Sequence, residues 1–164
     1  MEAPFLSVAG CENIPPGGYS FNTTFPRESS AKGPAMKLVI TYCSGSKRKD
    51  PGGLPAVERY DSQRIRDLAD RDEGFFMILS GEFALLEAEE FIPWYDHLLK
   101  DSEVAEMAVT VADQMIEYEP EIVEYHTADP EEYPEVLPYL RVMIKACRYA
   151  ELPLEIVLLR DNPE

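Results

Sequence analysis

The chain has 164 residues, 45% of them hydrophobic, enough for one domain with a buried core and cramped for two. Fifteen Lys and Arg against 31 Asp and Glu leave a formal net charge of −16; this repels phosphate backbones at long range and argues against non-specific duplex binding. A local basic patch can still hold one nucleotide, because salt confines electrostatic fields to about 8–10 Å. Three cysteines (Cys11, Cys43, Cys147), no CxxC pair and two histidines (His97, His126) point to a reduced intracellular chain and away from zinc. No apolar run reaches membrane-spanning length, and no basic head with an apolar stretch opens the chain. A cytoplasmic protein without metal, cofactor or membrane contact is expected.

Residues 1–35 are rich in Pro, Gly, Ser, Asn and Thr ("NIPPGGYSFNTTFPRESSAKGPA"), a composition that favours turns and extended chain. They read as an extension, either a mobile leader ahead of a start at Met36 or an arm anchored by Phe5, Tyr19, Phe21 and Phe25. From residue 36 to 164 a single α/β domain is expected. Lys37 to Tyr42 is β-branched and apolar, a buried strand. A Gly/Pro loop spans 43–55. Asp61 or Ser62 caps a helix with Ile65, Leu68 and Ala69 on one face, and Gly74 ends it. Phe75 to Ser80 is a second strand, and a loop with short helical pieces follows, holding "FIPWYDHLL". Asp101 or Ser102 starts the clearest helix, in which Val104, Met107, Ala108, Val111 and Met115 recur at helical steps until Pro120. Ile122 to Thr127 is a third strand. Tyr133 to Ala150 is a helix whose first turns Pro138 should distort, and Leu154 to Leu159 is a fourth strand.

Strand and helix alternate, which predicts a three-layer α/β sandwich around a mainly parallel sheet of about four strands. Ligands of such sheets bind outside the carboxyl ends of the strands. Segments 43–49, 80–84, 126–129 and 160–164 occupy those ends. In the first, Gly45 permits positive φ, so that successive N–H groups could cup an anion, with Lys47 supplying charge and Ser44 and Ser46 donors. The competing reading is a solvated polar turn. Pro51-Gly52-Gly53 stands where a P-loop needs its helix, so ATP hydrolysis is not supported.

Three further constellations follow. Cys43 as a nucleophile needs a base, and His126 ends another strand, with Glu124 or Asp129 to orient it; otherwise Cys43 is a small buried residue. Asp96 and Glu82 are candidate carboxylates for acid–base work or for ordering a water, while Tyr95 and Trp94 could stack on a base, although core filling is the simpler role for Trp94. The acidic run 117–135 reads as a solvated face or a dock for a basic protein partner. Arg141, Lys145 and Arg148 form a stripe that suits solvation or salt bridging.

Four motifs in order carry a resemblance: Cys43-Ser44-Gly45-Ser46-Lys47, then Pro55-Ala56-Val57-Glu58-Arg59-Tyr60-Asp61-Ser62, then Ile78-Leu79-Ser80, then Pro93-Trp94-Tyr95-Asp96. Over residues 36–159 the chain resembles the YaaA-like and related domains of unknown function, and the middle domain of archaeosine synthase, a tRNA-modifying enzyme whose fold is similar to uracil-DNA glycosylase. The resemblance implies an α/β sandwich linked to nucleotide or nucleic-acid metabolism. It implies ligand contacts at Ser44, Ser46, Lys47, Arg59, Tyr60, Ser80 and Tyr95. After the Leu-Ser pair, Gly81-Glu82-Phe83-Ala84 departs from the expected small residue, Lys and aromatic-Gly, and Glu82 reverses a charge there. The leading expectation is a domain that binds or acts on a nucleotide, nucleobase or tRNA/DNA fragment through the first strand-end loop. The alternatives are a non-enzymatic acidic protein-interaction module and a Cys–His hydrolase or transferase.

Overall fold

A computed structural model describes residues 35–160. The expected extension up to Pro34, Cys11 within it, and the last strand-end segment beyond Arg160 lie outside the described residues. The elements in chain order are strand β1 (Lys37–Tyr42), strand β2 (Leu54–Pro55), helix α1 (Ala56–Arg59), helix α2 (Gln63–Ala69), strand β3 (Phe75–Ser80), strand β4 (Ala84–Glu87) and strand β5 (Phe91–Ile92). Helix α3 (Val104–Glu117), strand β6 (Ile122–Thr127), helix α4 (Leu137–Tyr149) and strand β7 (Leu154–Leu158) complete them.

The main sheet has five strands in the order β4-β3-β1-β6-β7. β1 pairs in parallel with β3 and β6, and β6 with β7. β4 alone runs antiparallel, on the far side of β3. The architecture is thus the expected sandwich, with five strands where four were read. The extra strand hides in sequence because it is four residues long and starts at Ala84 with φ of 59°. Its stabilisation comes from far along the chain. The Gln114 side chain accepts a hydrogen bond from the Leu85 N–H (2.9 Å) and donates one to the Leu85 carbonyl (3.1 Å), in place of a further strand.

Burial follows from this layering. β1 is central, and Leu38 to Tyr42 are all buried, as a strand covered on both faces requires. On one face Val39 and Thr41 align with Phe76 and Ile78 and meet α2, whose Arg64 donates to Thr41 Oγ1. On the other, Leu38, Ile40, Met77, Val123 and Tyr125 join the buried stripes of α3 and α4 in one apolar core; Tyr118 at the end of α3 stacks on Phe75 at 5.0 Å.

Helix ends show the local chemistry. Ser62 is the cap of α2, accepting from the Ile65 N–H at 3.5 Å. That helix ends at Ala69, earlier than expected. Gly74 instead opens β3 with φ of +101°, where an added Cβ would lie 2.4 Å from the Lys37 carbonyl. Pro134 starts a 3-10 turn, Pro134–Val136, and α4 proper begins at Leu137; the second proline then sits in the first turn, where its missing N–H costs no helical bond. Among the described residues no helix is long and apolar enough to cross a membrane.

Candidate functional site at the carboxyl edge of the sheet

The loop after β1 is built by local bonds. Ser44, buried at the strand end, accepts the Ser46 N–H on its hydroxyl at 3.1 Å. The Ser46 carbonyl accepts from the Asp61 N–H at 3.0 Å, and the Arg48 N–H donates to the Arg59 carbonyl at 2.8 Å. Lys47 pairs with Tyr60 as an antiparallel bridge. The loop therefore folds back on the 59–61 segment. Gly45 does not take positive φ, so the expected N–H cup over Gly45 is not formed; the Ser44 hydroxyl and the bridge turn the chain instead. Positive φ falls at Gly52 (+81°).

Arg59 is fully buried, and the reason is structural. Its Nη1 donates to the carbonyls of Arg48 (2.6 Å) and Asp50 (3.0 Å), and its Nη2 to Gly52 (2.5 Å) and Ile92 (3.4 Å). Nε also points to Ile92 at 3.4 Å. A guanidinium has five N–H groups, and all five are used. Arg59 thus corrects the expectation of a ligand contact: it clamps loop 48–52 against β5.

The four motifs converge beyond this clamp. Tyr60 and Tyr95 hydroxyls lie 2.5 Å apart, and Tyr95 is 2.9 Å from Ser80 Oγ. Ser80 Oγ also accepts the N–H groups of Glu82 and Phe83, each at 3.1 Å. With both lone pairs filled, Ser80 donates its own proton to Tyr95. Three hydroxyl protons serve two bonds in this chain, so one phenol proton remains for an outside acceptor. Lys47 Nζ stands 4.5 Å from the centre of the Tyr95 ring and 6.0 Å from that of Tyr60, within cation–π range. Phe83 packs edge-on against Tyr95 at 5.1 Å.

Cys43 is buried beside the cluster, and its Sγ donates to Tyr139 Oη at 3.5 Å. Tyr139 Oη also accepts the Leu99 N–H at 3.2 Å. Burial raises the pKa of Tyr60, Tyr95 and Tyr139 above the ordinary phenol value, and the nearby Cys43 adds to it. All three phenols are neutral donors at physiological pH. With an ammonium among them, the cluster presents donors and positive charge, a setting for an anion or a carbonyl oxygen.

Other expected residues lie apart from it. His126 is buried, and its Nε2 donates to Glu124 Oε1 at 2.6 Å; Glu124 Oε2 accepts from Lys37 at 2.8 Å. Its Nδ1 is buried without a hydrogen bond among the described residues. The register puts His126 beside Thr41, two residues short of Cys43. Glu124 orients His126 as expected, but no hydrogen bond joins His126 to Cys43. Glu82 is exposed and lines an acidic hollow with His97, Glu103 and Glu106. Asp96 is exposed. Ser46 lends its backbone to the loop, as above. Trp94 corrects the core-filling reading: it is 46% exposed and lines a groove with Lys49 and Pro51. In the basic stripe, Arg141 is bonded to Asp101 at 2.6 Å. Within the acidic run, Glu124 is drawn inward to Lys37 and His126. Among the described residues no cluster of His, Cys, Asp or Glu could hold a metal ion.

Arg64, Tyr42 and Tyr139 were not singled out from sequence. Arg64 is buried, donates to the Tyr42 carbonyl at 2.9 Å, and lies 3.8 Å from the Tyr42 ring centre. Its signal was an Arg directly before Ile65 and four residues before Leu68, a spacing that puts it on the buried face of α2. Compared with protein-family models, curated proteins and solved structures, the chain matches none.

Proposed function

We propose that the domain binds a nucleotide, or a nucleobase-bearing fragment of tRNA or DNA, at the carboxyl edge of β1 and β3. Lys47 takes the phosphate or another anionic group, and the spare phenol proton of the Tyr60–Tyr95 pair serves a second acceptor. The observation that carries this reading is the convergence of Lys47, Tyr60, Ser80 and Tyr95 from four separate motifs. Lys47 makes no ion pair with a carboxylate among the described residues, in a chain of net charge −16. The shared motif order supports kinship with the YaaA-like group and the archaeosine synthase middle domain, and through it the nucleotide class.

The role is one of binding. A Cys–His mechanism gains no support from this geometry, since Cys43 bonds Tyr139 and His126 bonds Glu124. Titration of mononucleotides and short single-stranded RNA by calorimetry tests the proposal. Lys47→Ala is expected to weaken binding at least tenfold and to flatten its salt dependence. Equal binding by both proteins, or none by either, defeats it.

A further inference from the structure

The chain has one tryptophan, Trp94, and nearly half of it faces solvent. It shares a groove of about 520 Å³ with Pro93 and with the loop from Lys49 to Gly53. The two sides of the groove are held in place. Arg59 binds the carbonyls of Arg48, Asp50 and Gly52, and the β2–β5 pairing ties Leu54 and Pro55 to Ile92 and Phe91. The charge of the groove is positive. Its one acid, Asp50, is bonded through both carboxylate oxygens to Arg48, at 3.0 and 3.1 Å. Lys49 is exposed and makes no ion pair among the described residues.

The same two segments carry the Lys47 site. Lys47 Nζ stands over the Tyr95 ring. Two residues on, Lys49 shares the groove with Trp94, the residue before Tyr95. Between the two lysines, Arg48 is taken up by Asp50 and Glu58. A cation and a ring therefore recur at neighbouring places on both segments, Lys47 with Tyr95 and then Lys49 with Trp94. One charge and one ring per step is also the repeat of a nucleic-acid strand, a phosphate and a base. We propose that the Trp94 groove is a second nucleotide subsite, and that the ligand is a single-stranded nucleic acid of two or more nucleotides, with one base stacked on Trp94 and its phosphate beside Lys49. The proposal rests on the reading of Lys47 as an anion contact and extends it from one nucleotide to a strand. Stacking on Trp94 needs a base free of its neighbours, which a duplex does not offer, and the net charge of −16 disfavours the denser charge of two strands. The volume of the groove lies within the range of small-ligand pockets and suits one nucleotide.

Because Trp94 is the single tryptophan, its fluorescence reads this groove alone. The full chain is titrated with adenosine monophosphate, with adenylate tetramers of RNA and of DNA, and with polyglutamate as an anion without bases; calorimetry follows the variants that lack Trp94. A tetramer of either sugar is expected to quench Trp94 saturably and to bind at least about tenfold more tightly than the mononucleotide, and the tighter of the two identifies the sugar. Trp94→Ala is expected to weaken the tetramer about fivefold or more, the share of one stacked base, and Trp94→Phe to recover most of that loss. Lys49→Ala is expected to lower the slope of log affinity against log salt by about 0.7. Both positions are exposed, so these variants keep the fold. Equal affinity for tetramer and mononucleotide overturns the proposal. So does tetramer affinity unchanged in both Trp94→Ala and Lys49→Ala, or quenching by polyglutamate as strong as by the tetramer. Mononucleotide binding that depends on Lys47 but gains nothing with length leaves the preceding reading standing and refutes this one. Tetramer binding weakened by Trp94→Ala but not by Lys47→Ala supports the groove and refutes the Lys47 contact.

Discussion

Single residues divide here into those that build the edge and those that face out from it. Arg59 belongs to the first kind. Its motif position implied a ligand, but a fully buried guanidinium must find acceptors, and loop 48–52 supplies three carbonyls. Arg59→Met is expected to destabilise the domain by about 2–4 kcal/mol in chemical denaturation, because a charged hydrogen-bond hub is lost and its carbonyls are left unpaired. Arg59→Lys should recover little, since one ammonium cannot reproduce the fork. Gly81 is a second such residue. An added Cβ would lie 2.8 Å from the Leu99 N and 2.9 Å from Tyr139 Oη. Gly81→Ala is expected to cost about 1–3 kcal/mol by overpacking, while Gly45→Ala, with nothing within 4 Å of the new carbon, should stay within about 0.5 kcal/mol. Paired melts of the two variants check both.

At the scale of elements, the strands were the most legible part of the sequence, because runs such as Leu38 to Tyr42 and Met77 to Leu79 are apolar enough to be buried on both faces. The turns between them were less so. β4 and the β2–β5 pair depend on partners about 30–40 residues away, Gln114 and Ile92 against Leu85 and Leu54, which no local pattern reveals. One electrostatic device belongs to this scale, the Lys37–Glu124–His126 chain linking β1 to β6. Burial alone would raise the Glu124 pKa; hydrogen bonds from Lys37 and His126, with their charges, outweigh it and hold the carboxyl below the ordinary 4.5. A depressed folded-state pKa stabilises the fold above about pH 4.5, and the gain is lost as pH falls through the lower folded value. Acid denaturation should therefore steepen below pH 4.5 in the wild type, and Glu124→Gln should flatten that limb in a pH series of melts. An equally steep limb in the variant would place the effect elsewhere.

For the whole molecule, the −16 charge sets a condition that local contacts cannot show. Repulsion among like charges opposes the compact state, and salt screens it. Raising sodium chloride from about 0.05 to 0.5 M is expected to raise the melting midpoint of the full chain, even though exposed pairs such as Arg141–Asp101 weaken; a fall would mean those pairs outweigh the repulsion. The same charge makes the site more distinctive, since Lys47 stands over Tyr95 without a carboxylate partner among the described residues. The alternation of apolar segments was enough, by itself, to establish an α/β sandwich and to mark the 43–49 loop as a strand end, because periodicity and turn chemistry are local properties of the chain. Which strand-end residues meet was settled only by tertiary structure. Tyr60 reaches Tyr95 across 35 positions and Cys43 reaches Tyr139 across 96, while His126, at a strand end too, turns to Glu124. Strand order, register and the clamp on loop 48–52 decide those meetings, and each arises from packing between distant segments.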